Sequence, residues 1–141
     1  MAAFAIVAAG SAWGGLDQVR AEPNLEKRSK LALDNAGEAL KAAREAYRSG
    51  DTAAAEAKAG EIMESVDLAY NSLVGTGKNP RQSPKWFKQA EMGTRELGRK
   101  LDDLQREMSY TDRPAFDKAK AKIQQVHDDL LRGLMEGKKR R

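Results

Sequence analysis

Cysteine is absent from the 141 residues, which excludes disulfides, thiolate nucleophiles, iron–sulfur clusters and Cys-ligated zinc. Histidine occurs once, as His127. A zinc site needs several converging ligands at one-turn or tight-loop spacing, and a ferritin-like di-iron bundle needs two Glu-x-x-His motifs. Neither can be assembled from one imidazole. Val and Ile together number only eight against 23 Ala, and aromatic residues make up 6% of the chain. Sheets draw on β-branched and aromatic side chains, so this mix, with 33% charged residues, favours amphipathic helices. Gly and Pro fall mostly in clusters, which argues against general disorder.

The first stretch, MAAFAIVAAGSAWGGL, carries no charge. Sixteen helical residues span about 24 Å, short of the roughly 30 Å hydrocarbon core, so an integral membrane span is not expected. Residues 1–21 read instead as a secretory signal segment. Small residues at Val19 and Ala21 suit cleavage before Glu22, and a cut after Ala12 is the second option. No Lys or Arg precedes the apolar run, so the usual basic leader is missing. The alternative is an Ala-rich helix packed on the domain. The expected address is periplasmic or secreted.

Beyond Glu22 the apolar residues recur at helical spacing, over about 23–49, 51–74, 84–108 and 112–136. The first run is Leu33, Ala36, Leu40, Ala43 and Tyr47. The second is Ala55, Ala59, Ile62, Val66, Ala69 and Leu73. The third is Trp86, Ala90, Gly93, Leu97, Leu101, Leu104 and Met108, with one 4-4 step that shifts its seam. The fourth is Phe116, Ala119, Ile123, Val126, Leu130 and Leu134. Ser83-Pro84 supplies an N-cap followed by Pro at the first helical position.

Four helices joined by short loops predict an all-α, antiparallel up-down-up-down four-helix bundle over 22–137. A single helical hairpin that dimerises would give the same core, so monomer and homodimer both fit. Ile62, Val66, Leu101, Leu104, Ile123 and Leu130 are the expected centre. The two hairpins also align without a gap at an offset of 61, pairing Pro23 with Pro84, Gly37 with Gly98, Asp51 with Asp112 and Ile62 with Ile123. That register suggests an internal duplication.

Motifs for chemistry are sparse. Gly75-x-Gly77 before Lys78 lacks the P-loop spacing. Asp102-Asp103 and Glu61 with Glu64 read as solvated helix faces, and His127, beside Val126, as a boundary or surface residue. Tyr47-Arg48-Ser49-Gly50-Asp51 with Ala54-Ala55 is similar to the inter-helix turn of tetratricopeptide repeats over about a dozen residues, but the rest of that pattern is absent. A non-enzymatic protein without cofactor is expected.

Charge is more specific. Residues 1–77 hold 8 basic and 11 acidic side chains, whereas 78–141 hold 17 and 10. Folded as a bundle, the start of the first long helix, the loop KNPRQSPKWFK and the C-terminus meet at one pole. There Lys27, Arg28, Lys30, Lys78, Arg81, Lys85, Lys88 and the tail Lys138, Lys139, Arg140 and Arg141 face Glu22, Glu26, Glu91 and Glu136. Trp86 lies on the apolar seam and Phe87 off it, making Phe87 the expected exposed contact. Lys78, Arg81, Lys85, Lys88, Phe87 and Lys138–Arg141 are therefore the expected site for an anionic membrane surface or an acidic partner protein. Nucleic-acid binding in the cytoplasm shares the basic footprint but lacks a recognition motif. A periplasmic chaperone-like cradle would use Met63, Tyr70, Phe87 and Met135.

Overall fold

The computed structural model describes residues 15–137. A short helix, α1 (Gly15–Arg20), precedes four long ones: α2 (Leu25–Arg48), α3 (Thr52–Gly75), α4 (Lys85–Glu107) and α5 (Asp117–Glu136). A 3-10 turn, Arg113–Phe116, leads into α5, and no strand occurs among the described residues. The long helices pack against one another around a shared core.

Local chemistry explains the boundaries. Asn24 caps α2 by accepting the Lys27 backbone N–H at 2.9 Å, and Asp51 caps α3 by accepting that of Ala54 at 3.0 Å. Between them Gly50 adopts a φ of 90°, a left-handed conformation that costs glycine little and makes the tight reversal accessible. The expected cap at Ser83 differs. Pro84 itself occupies the cap position of α4 without a side-chain bond, because Ser83 belongs to a preceding turn in which its N–H donates to the Asn79 carbonyl at 2.8 Å.

The six residues expected at the centre are all buried, none above 2% exposure. Every seam position expected on α3 is buried, as are all those on α5 except Leu134, which is partly buried. On α2 the buried positions are Ser29, Ala32, Ala36, Ala39, Leu40 and Ala43, while Leu33 and Tyr47 are only partly covered. The third run needs a larger correction. Its inward seam is Phe87, Ala90, Thr94, Leu97, Leu101, Leu104 and Met108, an unbroken alternation of three and four with no shifted step, and Glu91 and Gln105 are buried beside it. Trp86 is partly buried and Gly93 lies beside the seam, its α-carbon face close to Leu33.

Helices α2 and α3 form the tightest pair, and Ala-rich faces permit that approach; α4 pairs with α5. The pairs meet with α2 beside α4 and α3 beside α5, whereas α3 and α4 touch little. At the offset of 61, Thr52–Gly75 maps onto 113–136, the span of the 3-10 turn plus α5. The helix boundaries thus follow the sequence register. At the end distal to the basic loop, the Tyr47 hydroxyl donates to Asp112 Oδ2 at 2.9 Å and accepts the Ser109 N–H at 2.8 Å. Those bonds tie the two pairs together.

Residues 1–14 of the apolar N-terminal stretch lie outside the described residues. The part that follows is docked: Leu16 and Val19 of α1 are buried against Ala32 and Ala69, with Leu31 and Leu68 alongside.

Candidate functional site

The N-terminus of α2, the loop after α3 and the end of α5 converge at one end of the molecule. Lys78 Nζ lies 2.8 Å from Glu26 Oε2 on α2. On the other side, Pro80 packs on Gly133 so closely that a Cβ there would meet its Cγ at 3.2 Å. A side chain at 133 would need Pro80 to shift by a few tenths of an ångström. The loop that carries Lys78 and Arg81 is therefore held between the start of α2 and the end of α5.

Not every cation of the pole is equally available. Lys27 pairs with Glu22 at 3.8 Å and Lys30 with Asp34 at 3.0 Å. Arg28 donates to the Glu22 carbonyl at 2.9 Å, and Lys78 is taken by Glu26. Arg81, Lys85 and Lys88 are exposed and have no carboxylate partner among the described residues. Lys85 instead lies over the Trp86 ring, 5.2 Å from its centroid, a weak cation–π contact at an exposed site. Lys138, Lys139, Arg140 and Arg141 fall outside the described residues; they follow Gly137 directly.

Phe87 is not the exposed contact its offset from Trp86 suggested. It is 5% exposed and belongs to the main core, because Phe87-Ala90-Thr94, rather than Trp86-Ala90-Gly93, is the inward face of α4. The residues proposed for a client cradle change in the same way. Phe87 is buried, Met63 and Tyr70 pack partly against the core, and Met135 alone of the four is exposed.

Beside the cations, a cleft of about 350 Å³ opens between the end of α3, its loop and α5. Phe87, Leu130, Pro80, Tyr70 and Val74 are among the residues that line it. Its size is at the lower end of small-molecule sites.

The periodicity gave no sign of a second feature, a buried acid. Glu91 is 6% exposed within the α4–α5 contact. Its Oε2 lies 2.7 Å from His127 Nε2, and Arg95 Nη2 reaches both of its oxygens at 2.8 Å. Burial pushes the Glu91 carboxyl up, but the bonds from Arg95 and His127 outweigh this and hold it below its ordinary value. The charge of Glu91 is thus used inside the bundle and does not neutralise the pole. His127 sits at the boundary, its side chain 17% exposed. The legible signal was the Glu91/Arg95 spacing on one helix face, which alone does not say that the acid is buried.

No group of three or more His, Asp or Glu side chains among the described residues could hold a metal ion. No helix among them is long and apolar enough to cross a membrane. Family models, curated proteins and solved structures contain no match to this chain.

Proposed function

We propose that this is an exported, non-enzymatic helical protein that binds an anionic surface or acidic partner through its basic pole. The observation that carries the reading is that Arg81, Lys85 and Lys88 are exposed and without carboxylate partners among the described residues, with Arg81 packed against Gly137, after which the basic tail begins. The apolar N-terminal stretch supports export. As to architecture, the reading takes the four long helices as alternating in direction, one hairpin stacked on the other as its duplicate.

Cations near an anionic lipid surface contribute about 1 kcal/mol each. The attraction is exposed and should weaken with salt, since the Debye length is about 8 Å at physiological ionic strength. Co-sedimentation with vesicles tests it. Binding is expected to vesicles containing phosphatidylglycerol, to fall as salt rises, and to be absent with phosphatidylcholine alone. Equal binding to both would overturn the reading, and preferential retention of duplex DNA in the same salt series would replace it with nucleic-acid binding.

A further inference from the structure

We infer that the basic end of the molecule docks on an anionic lipid bilayer by shallow insertion of apolar side chains, Leu131 and Met135 of α5 with Val74 of α3. The inference rests on the anionic-pole reading and assigns its partner and its mode of contact. Val74, Met92, Tyr110, Leu131 and Met135 are the large apolar side chains exposed among the described residues. Single exposed apolar residues are ordinary on a protein surface, so their placement decides. Val74 lies in the last turn of α3, and Leu131 and Met135 lie in the last two turns of α5, the two helix ends between which the basic loop is seated. Met135 is 67% exposed and Val74 54%.

The unmatched cations stand beside them. His127 Nε2 meets Glu91 Oε2 at 2.7 Å, and Gln105 Nε2 donates to Asp117 Oδ1 at 3.0 Å, so the end of α5 lies beside the start of α4. Leu131 follows His127 by four residues and Lys88 precedes Glu91 by three, which sets both on the same side of that ion pair. Met135, one turn beyond Leu131, continues the ridge towards Lys85. Arg81 packs at Gly137, just past the end of α5. Lys78 and Arg132 are matched by Glu26 and Asp129, and Asp128, one turn farther from this end, lies 3.5 Å from His127 Nδ1. Glu136 is exposed on the last turn of α5 and offsets one of Arg81, Lys85 and Lys88. The described surplus is positive.

A bilayer fits this surface better than a folded protein does. Leu131 and Met135 project from a helix surface and are not among the residues that line the cleft. Two or three side chains fall far short of the roughly 800 Å² per partner of a stable protein complex. A lipid surface needs no matching shape. Apolar side chains enter the boundary between headgroups and acyl chains, while Lys stems lie along them and keep their ammonium groups at the phosphates. Charge and apolar contact are each weak alone, and here they share one end.

The full chain has no cysteine, so a single introduced cysteine reports its own position. Met135→Cys carrying a nitrobenzoxadiazole label should shift its emission to the blue on phosphatidylglycerol vesicles, and lipid with a nitroxide on its acyl chain should quench it. The same label at Lys118→Cys, exposed on the first turn of α5, should do neither. Leu131→Ser combined with Met135→Ser, both at exposed positions, should weaken vesicle binding by on the order of tenfold. Its salt-sensitive binding to polyglutamate, which offers charge without an apolar interior, should change by less than about twofold. Circular dichroism and thermal melting verify that the variants are folded. A label at 135 that stays in water on bound chain, or a folded double variant with unchanged vesicle affinity, would overturn insertion and leave the pole reading standing. A chain that binds polyglutamate but no vesicle would do the same, with an acidic protein then the partner. Binding to neither would sink the pole reading as well.

Discussion

Replacing Glu91 with Ala should destabilise the fold by about 3 kcal/mol. The side chain is 8% exposed and accepts from His127 Nε2 at 2.7 Å and from Arg95 at 2.8 Å. The Arg95 end is 67% exposed, and solvent screening leaves such a pair roughly 0–1 kcal/mol. The His127 bond is mostly buried, and hydrogen bonds to charged groups contribute about 1.5–3 kcal/mol. Alanine also leaves His127 without its acceptor and leaves a small void. At about 4 °C per kcal/mol for a domain of this size, the melting temperature should drop by on the order of 10 °C. Glu91→Gln keeps an acceptor oxygen and should lose roughly 1–2 kcal/mol. The pH dependence is a sharper check. A carboxyl held below its ordinary value of 4.5 adds stability that is fully present above that value and is lost as pH falls through the lower folded one. In urea titrations the gap between wild type and Glu91→Gln should shrink as pH falls from 4.5 towards about 3.5. A melting point unchanged by Glu91→Ala, or a gap that widens in acid, would refute the reasoning.

Leu104→Ala and Ile123→Ala should each cost about 2–5 kcal/mol by denaturant titration, since both side chains are at most 2% exposed; two unchanged midpoints would mean the core is misplaced. Tyr47→Phe removes the bonds to Asp112 and Ser109 and should cost about 1–2 kcal/mol, with faster amide exchange at Ser109; unchanged exchange there would count against the tie. A chain beginning at Glu22 lacks Leu16 and Val19, which cover Ala32 and Ala69. It should melt below one beginning at Trp13, and equal melting would show that α1 adds no stability.

Much of the architecture was legible because helices with one buried face write their period into the sequence. On α3 and α5 nearly every inward position is apolar, and those seams were read in phase. The error on α4 has a specific cause. Thr94 is inward-facing, and its hydroxyl is satisfied within its own helix by the Ala90 and Glu91 carbonyls, both at 3.0 Å. A count of apolar residues skips such a threonine and slides to Gly93 and Trp86, which turned Phe87 outward. Glu91 escaped for a related reason. A buried acid is invisible to apolar periodicity, and its partner His127 is 36 positions away. At the pole, the number of cations could be read directly. That Lys78 is matched by Glu26, 52 residues earlier, could not, because it depends on how the hairpins dock.

The pole itself is tested most directly by neutralising its unmatched cations in the full chain. Three cations at about 1 kcal/mol each, discounted because they will not all reach the surface together, should still give at least a tenfold loss of affinity. Arg81→Gln, Lys85→Gln and Lys88→Gln combined should therefore weaken binding to phosphatidylglycerol vesicles by that factor or more. Neutralising Lys41, Arg106 and Lys118, exposed away from the pole, should change it less than threefold, a margin of about 0.65 kcal/mol. Equal losses from the two sets would contradict the account, because net charge rather than its placement would then govern binding.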